Sequence, residues 1–390
     1  MEKQSRLSFL KDVFICTLGA YGGPEAHFGV FTNQLVDKRQ YLTEEELAEL
    51  VALTVLLPGP SSSQTIVAIG YKQGGPLLAL MTMLVWALPV LIIMTILSFS
   101  STILEALNLS EEGLRFIGPM ALGFIMIALY RLGKKILISP ISISLFIIAA
   151  FVSYFFRLPI VFISILILGG VVALGLSKEE NLWHKVSLKP KWMYLVTLFV
   201  LAVGSYIFAA FNPYILLQLF EQFFRYGYLV IGGGQVLVPY MYQGLVEKLA
   251  YITHEQFVTG YGLVQGLPGP MFSFSAYAGG IAARSYGTTI QVAAAMISGI
   301  AIFLPGLLLI YFVYPMWEKL KDIKALKIAL KGVTSVACGL IASTALILVQ
   351  NTSFSWVAVA ITLFTFTALM SKKIPAPLIV LIVLILGFII

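Results

Sequence analysis

The chain has 390 residues, of which 59% are hydrophobic and only 11% charged, and its mean hydropathy is +0.95. A soluble domain is roughly 45–50% apolar and about 25% charged, so this composition excludes a soluble globular protein. The net charge of +7 comes from basic residues in short connections between apolar runs, not from one basic arm, so we expect no nucleic-acid partner.

The apolar residues form runs of about 20 residues, the length that crosses the hydrocarbon layer as an α-helix. We therefore predict an all-α polytopic membrane protein embedded in a lipid bilayer. Glycine, proline and charge clusters divide the chain into thirteen candidate segments, of which the first and the eighth either cross fully or re-enter. In chain order the segments are 12–32, 47–70, 76–99, 116–133, 138–156, 158–176, 193–212, 219–243, 257–282, 288–314, 332–350, 354–370 and 374–390.

The few cysteines and histidines form no recognisable catalytic or metal-binding pattern. Cys16 and Cys338 lie inside apolar runs, without CxxC or Cys/His spacing. An enzyme would need a nucleophile with its base, or a set of metal ligands, and neither is visible. We predict a protein that is not an enzyme and has no catalytic residue, metal or cofactor.

An internal repeat relates the two halves, because residues 21–70 align without a gap on residues 231–280. The matching residues include Tyr41 with Tyr251, Thr43 with Thr253, Glu45 with Glu255, and the run 57–60 with 267–270. We predict a first repeat over residues 1–177, a cytoplasmic linker with its own membrane helix over 178–215, and a second repeat over 216–390. Each repeat would contribute about six transmembrane segments.

The charges of the loops predict that the two repeats are inverted. Arg131, Lys134 and Lys135 lie in a first-half loop, whereas the corresponding second-half stretch, 347–351, carries no charge. The second-half loop 318–331 is rich in lysine, and its first-half counterpart near 102–115 is mostly acidic. Since cytoplasmic loops are rich in Lys and Arg, equivalent loops face opposite sides of the membrane. We expect a cytoplasmic N-terminus and a C-terminus outside.

A Pro-Gly-Pro motif interrupts an apolar segment in each half. Two prolines around a glycine break a helix, and the helix that restarts presents free N–H groups and a positive dipole end, which suit an anion. Two inverted broken helices near the midplane bind substrate in many secondary transporters, the alternative being a structural kink. The candidate substrate-binding residues are Pro58, Gly59, Pro60, Ser61, Ser62, Ser63 and Gln64, with Pro268, Gly269, Pro270, Met271, Phe272 and Ser273 in the second half.

A glycine cluster precedes each break. Gly22 and Gly23 in the first half, and Gly233, Gly234 and Gln235 in the second, are further candidate binding residues that allow close helix approach or another interruption.

Four ionisable residues near the first break are candidates for gating or for a proton or anion relay. Glu25 and His27 are ionisable groups inside a membrane segment, which predicts a functional role unless they lie hydrated at its mouth. Arg39 and Lys72 could draw an anion towards the site or anchor helix ends at the membrane surface.

These motifs resemble those of the chromate ion transporter (CHR) family, in its long two-domain form. The matching runs are Gly22-Gly23-Pro24-x-x-His27, Leu57-Pro58-Gly59-Pro60-x-Ser62-x-Gln64, Gly232-Gly233-Gly234 and Gln265-Gly266-Leu267-Pro268-Gly269-Pro270. The resemblance covers essentially the whole chain. It implies a multi-pass protein of a prokaryotic inner membrane that exports chromate, a sulfate-like oxyanion.

We therefore expect a secondary transporter driven by the membrane potential or a proton gradient. One helix terminus stabilises an anion by only about 0.3–2 kcal/mol, so a cation, Arg39 or Lys72, should complete the site. Because chromate and sulfate are both tetrahedral dianions, we expect them to compete. A proton-coupled importer of sulfate or a related oxyanion and a non-transport membrane scaffold are the alternatives, and a homodimer is one option for assembly.

Overall fold

The computed structural model describes residues 5–183, 190–229, 237–321, 323–351 and 355–389, which form helices and connections without a β-strand. In chain order the α-helices are α1 (Arg6–Gly19), α2 (Pro24–Phe31), α3 (Glu44–Leu56), α4 (Ser61–Leu97), α5 (Ser100–Ala106), α6 (Ile117–Ile136), α7 (Pro140–Phe155), α8 (Pro159–Gly175), α9 (Trp192–Phe211), α10 (Ile215–Leu229), α11 (Leu237–Tyr242), α12 (His254–Gln265), α13 (Phe274–Ala282), α14 (Thr288–Val313), α15 (Trp317–Leu320), α16 (Lys324–Asn351), α17 (Trp356–Ser371) and α18 (Ala376–Ile389). Two π-helical turns, Thr32–Lys38 and Gln243–Lys248, follow α2 and α11.

Among the described residues, five helical stretches are long and apolar enough to cross a membrane, judged by length and composition. They are Ser61–Leu97, Glu111–Ile136, Trp192–Phe211, Thr288–Leu320 and Lys324–Asn351. Four shorter apolar helices are α7, most of α8, α17 and α18. No residue of α9 is buried although the helix is apolar, which is what a lipid-facing helix requires. The predicted all-helical membrane protein is confirmed at this level.

The helix boundaries divide several of the predicted segments, including 257–282, which the structure separates into α12 and α13. The predicted segment 12–32 is divided into α1 and α2 by residues 20–23. The predicted segment 47–70 is α3 followed by the start of α4, which continues to Leu97 through a non-helical kink at Gly74 and Gly75. The count of thirteen crossings stays a prediction.

The chain divides into two compact units, each built from segments of both halves of the sequence. Unit 1 comprises Met1–Ser98, Val186–Leu229 and Leu267–Asp322, and unit 2 comprises Phe99–Lys185, Val230–Gly266 and Ile323–Ile390. The predicted boundaries at 177 and 216 concern sequence repeats and stay a prediction.

Small residues bring the helices of each unit close together. In unit 1, a Cβ at Gly279 of α13 would lie 3.0 Å from the Ala294 carbonyl oxygen of α14. In unit 2, a side chain at Gly332 of α16 would collide with the Gly169 carbonyl of α8. Glycine thus allows the close backbone approach on which helix packing in lipid depends.

Candidate anion-binding site

The backbone is not helical at the first Pro-Gly-Pro motif. A capping box at Thr43 starts α3, which ends at Leu56, and α4 begins at Ser61. Between them Gly59 has φ of 117°, a backbone conformation that side chains other than hydrogen rarely allow. Gly59 and Pro60 are buried, so this interrupted stretch is enclosed by protein.

The second motif has nearly the same backbone. A capping box at Thr253 starts α12, which ends at Gln265, and Gly269 has φ of 118°. Helical structure resumes with a short 3₁₀ turn, Met271–Ser273, and continues as α13. Met271, Phe272 and Ser273 are all buried.

The start of α4 carries a dense group of buried polar side chains. Ser61, Ser62, Ser63 and Gln64 are each at most 4% exposed. The first helical hydrogen bond runs from Gln64 N to Pro60 O at 2.9 Å, which leaves the preceding N–H groups, those of the three serines, without an intrahelical acceptor. These N–H groups and the helix dipole favour a negative charge.

Side chains from two other positions, His27 and Trp86, contact this group, and Gln64 bonds to the backbone of the break. His27 Nδ1 lies 3.0 Å from Ser62 Oγ, and Trp86 Nε1 donates to Ser63 Oγ at 3.0 Å. Gln64 Nε2 donates to the Pro58 carbonyl oxygen at 2.7 Å, so the amide folds back over the break.

Three buried polar atoms near the two breaks have no hydrogen-bond partner among the described residues. They are His27 Nε2, Gln64 Oε1 and Ser273 Oγ. The residues that carry them are at most 2% exposed. An unsatisfied buried polar atom is costly, and a bound polar ligand would remove that cost.

Each break packs against the first helix of the opposite half, and all of these contacts lie within unit 1. Gly269 N donates to the carbonyl oxygen of Ala20, the residue that ends α1, at 2.8 Å. A Cβ at Gly59 would lie 3.4 Å from the Gly227 carbonyl oxygen of α10. The fold therefore brings both sequence-predicted motifs into one compact unit.

The glycine cluster of the first half separates α1 from α2. Gly22 and Gly23 lie in this connection, and Gly23 precedes Pro24 at the start of α2. His27 is buried on α2, whereas Glu25 in the first turn of the same helix is exposed. Only His27 of this pair contacts the polar group at the start of α4. The second-half candidates Gly233, Gly234 and Gln235 lie outside the described residues.

The two predicted cations are both bound to carboxylates. Arg39 Nε lies 3.0 Å from Asp12 Oδ1, and Lys72 forms an ion pair with Glu46. The hydrogen bond from the Lys72 ammonium lowers the pKa of the Glu46 carboxyl, and the Thr43 backbone N–H adds to this effect. Neither cation is unpaired and ready for an anion, so their predicted roles as relay or gating residues stay predictions.

Asp12, whose carboxylate is completely buried, was not among the residues predicted from the sequence. It accepts hydrogen bonds from Gln34 Nε2 at 2.9 Å, Arg39 Nε at 3.0 Å and Tyr41 OH at 2.8 Å. Burial, together with the hydrogen bond to Asp12, raises the pKa of Tyr41 to about 12. A lone carboxylate at the start of an apolar run is the sequence signal that could have revealed this cluster.

Among the described residues, none of the hydrogen bonds at the start of α4 comes from a lysine or arginine. No lysine or arginine is buried in the part of the chain that the structure describes. Among the same residues, no three His, Cys, Asp or Glu side chains come together as metal ligands. The site thus offers hydroxyl, amide, imidazole and backbone groups.

Interrupted helices with buried polar groups, set among apolar helices long enough to span a bilayer, define a multi-pass membrane protein with an internal polar site. The chain belongs to the chromate transporter family, whose model matches residues 7–176 and 217–388. The resemblance found in the sequence is confirmed, and the family is one of transporters, not enzymes.

Curated relatives match over most of the chain. A probable chromate transport protein of Synechococcus elongatus is 27% identical over 99% of this chain and 95% of its own length. A chromate transport protein of Cupriavidus metallidurans is 25% identical over 93% and 88%, respectively. An uncharacterized transporter of Methanocaldococcus jannaschii, MJ0718, is 25% identical over 100% and 96%. No solved structure matches the chain.

Proposed function

We propose that this chain is a secondary transporter that exports chromate across the inner membrane of a prokaryote, with binding at the two Pro-Gly-Pro breaks. The observation that carries the proposal is the start of α4. There three serine N–H groups without intrahelical acceptors, the Ser62 hydroxyl and the His27 imidazole converge inside an apolar protein. Family membership and the names of the curated relatives support chromate as the substrate.

Matching backbone features support the proposal that the halves are two structural repeats. Beyond Gly59 and Gly269, the positive φ of Gln40 (52°) recurs at Ala250 (48°), at the equivalent position of the second half. An alanine has no local reason to adopt this conformation, so we attribute it to a shared ancestral backbone. The inverted arrangement of the repeats remains part of this proposal.

The packing of unit 2 supports an assignment of which end of this unit faces the cytoplasm. Gly133 of α6 lies beside Cys338 of α16, whereas Ile125 and Ile341 line one small cavity further along the same helices. Therefore α6 and α16 run antiparallel, and the C-terminal end of α6 lies at the same end of the unit as the N-terminal end of α16.

Two further side-chain contacts add the C-terminal ends of α8 and α17 to this end of unit 2. Lys324 Nζ of α16 lies 3.2 Å from Glu179 Oε2, just after α8, and Arg131 Nη2 of α6 donates to the Leu369 carbonyl oxygen of α17 at 2.6 Å. From the positive-inside rule we infer that this basic end of unit 2 is cytoplasmic. The exposed lysines there are Lys134, Lys135, Lys178, Lys324, Lys327, Lys331, Lys372 and Lys373.

The energetics of transport follow from charge. Moving one elementary charge through 100 mV is worth about 2.3 kcal/mol, so a negative cell interior expels an anion without ATP. Uptake of the same anion would require protons to offset this term. The alternative function, a proton-coupled importer of sulfate or a related oxyanion, predicts the opposite flux and a dependence on external acid, with His27 or Glu25 as the relay.

Flux measurements test the proposal directly. Purified protein in liposomes should move labelled chromate towards the positive side of an imposed potential. Pro58→Ala and Pro268→Ala should reduce this flux, because each allows the helix to continue through the break. Pro140→Ala is the matched control, since Pro140 occupies the first position of α7, where proline is tolerated. A correctly inserted protein with no potential-dependent chromate flux would refute export and favour a scaffold.

A further inference from the structure

The described contacts at the start of α4 include no lysine or arginine, which limits the negative charge that the site can hold. Arg39 and Lys72, the cations expected to complete it, are bound to Asp12 and Glu46, and the described part of the chain buries no Lys or Arg. The cost of removing an ion from water rises with the square of its charge. A singly charged ion therefore costs roughly one quarter as much to desolvate as a dianion of the same size.

The orientation of the Gln64 amide gives the second observation. Because a carbonyl can only accept, the 2.7 Å contact with Pro58 O fixes Nε2 as the donor and leaves Oε1 at the other end of the amide. Oε1 is buried, and it has no partner among the described residues. The closest approaches to Gly59 and Gly306 are made by Nε2, Cδ and Cγ, so Oε1 is turned away from both glycines.

An unpartnered acceptor at an anion site has a chemical meaning. A bare dianion has only acceptor oxygens, which Gln64 Oε1 would repel. An oxyanion that carries one proton also has an O–H group, which needs an acceptor. Ser61, Ser62 and Ser63 would then supply donors to its other oxygens.

We propose that the site binds its oxyanion in the singly charged, protonated form, hydrogen chromate, with Gln64 Oε1 accepting the O–H hydrogen bond. This inference rests on the proposed function. Chromate takes up one proton near neutral pH, whereas sulfate does so only in strong acid. The site therefore distinguishes chromate from sulfate, an ion of similar shape, by their protonation. We accordingly expect sulfate to compete only weakly with chromate.

Protein groups that could titrate near Gln64 come from the helices packed against α4. His27 of α2 contacts Ser62, whereas Asp12 of α1 is enclosed by its own donors. Tyr311 of α14 donates to the Pro76 carbonyl oxygen. The remaining titratable groups of these elements are Arg6, Lys11 and Cys16 of α1, Glu25 of α2, Glu44, Glu45, Glu46 and Glu49 of α3, Tyr71 and Lys72 of α4 itself, and Tyr277 of α13. From α10, whose Gly227 carbonyl lies beside Gly59, come the paired Glu221 and Arg225, with Tyr226 and Tyr228. The experiment must distinguish their protonation, that of His27 above all, from protonation of the oxyanion.

Equilibrium binding of labelled chromate to the purified full chain makes that distinction. Affinity should fall about tenfold per pH unit above the pKa of chromate itself, because the binding-competent fraction falls by that factor. Perchlorate, a permanent monoanion without a proton, should displace chromate with an affinity of its own that does not vary with pH. Chromate affinity that is independent of pH, perchlorate affinity that follows pH, or strong displacement by sulfate at pH about 8 would each overturn the inference.

Substitution of the acceptor provides the second test. Gln64→Leu should weaken chromate binding at least tenfold and perchlorate binding much less. Gln291→Leu is the matched control, because Gln291 of α14 is a similarly buried amide whose Nε2 donates to a backbone carbonyl, that of Ser98. Equal losses in both variants, or an equal loss for both anions, would overturn the role of Gln64. Potential-driven chromate flux with strong sulfate competition would preserve the proposed function and refute only this inference, whereas absence of chromate binding at every pH would overturn both.

Discussion

Alanine at the two central glycines of the breaks, Gly59 and Gly269, gives the sharpest test of the backbone geometry. Both glycines have φ near 118°, where an alanine would be strained whatever space surrounds it. Residues held in such sparsely populated regions cost of order 1–3 kcal/mol each. We expect Gly59→Ala and Gly269→Ala to lower the free energy of unfolding by amounts in that range.

The neighbours of each glycine set the order of the two effects. A Cβ at Gly269 would lie 2.9 Å from Val90 Cγ1, a branched side chain in a packed helix, so its cost belongs at the upper end, about 3 kcal/mol. A Cβ at Gly59 would meet Gln64 Nε2 at 3.1 Å, the far end of a flexible side chain, and its cost belongs nearer 1 kcal/mol. Gly59→Ala displaces the Gln64 amide, however, so it should weaken chromate binding more than its effect on stability suggests.

Unfolding of the purified protein in a denaturing-detergent titration measures these costs, alongside chromate binding. Gly29→Ala is the control: Gly29 lies in α2 with no atom within 4 Å of an added Cβ, and alanine there should be neutral or stabilise by up to about 1 kcal/mol. If all three variants unfold alike, the backbone of the breaks is not as described and the reasoning fails.

Three further outcomes follow from the described contacts. Asp12→Ala should destabilise the protein by about 2–4 kcal/mol, because it leaves buried hydrogen-bond donors without an acceptor. Arg39→Gln should destabilise it by less, because Arg39 is 43% exposed, and equal losses in unfolding titrations would contradict this order. The ion pair with Lys72 lowers the pKa of Glu46 in the folded protein. The pair therefore stabilises the folded state by about 0–1 kcal/mol above the pKa that Glu46 has in the unfolded chain, and this stabilisation is lost as pH falls through the pKa of Glu46 in the folded protein. Glu46→Gln should remove this acid sensitivity, which melting curves recorded at different pH values would measure. Gly339→Val should cost about 1–3 kcal/mol, since its side chain would meet the α7 backbone at 2.5 Å; unchanged stability would show that α7 and α16 pack differently.

Much of the helical architecture could be predicted from the sequence because apolar run length and proline act locally. Twenty apolar residues suffice for a spanning helix, and the Pro-Gly-Pro motif marks where a helix must stop. The capping residues Thr43 and Thr253 likewise define where α3 and α12 begin. These features depend on neighbouring residues and need no knowledge of tertiary contacts.

The partners of charged groups could not be predicted because they are set by tertiary packing. Arg39 and Lys72 were predicted to draw an anion towards the site or to anchor helix ends, yet each lies beside a carboxylate from another element, Asp12 of α1 and Glu46 of α3. Nothing in the order of residues indicates which way the Gln64 amide turns, since only its contact with Pro58 fixes it. Only the structure therefore shows which carboxylates pair with Arg39 and Lys72 and which way the Gln64 amide is oriented.

The composition of unit 1 has a consequence for biosynthesis. Its first segment ends at Ser98 and its last at Asp322, so more than half of the chain leaves the ribosome between the two. At about 5–20 residues per second, the early segments wait roughly 10–45 s for their partners. During that delay α13 and α14, which pack against α4, are not yet made, so the buried environment of Ser61 to Gln64 is completed only after the last segment of unit 1 has been translated.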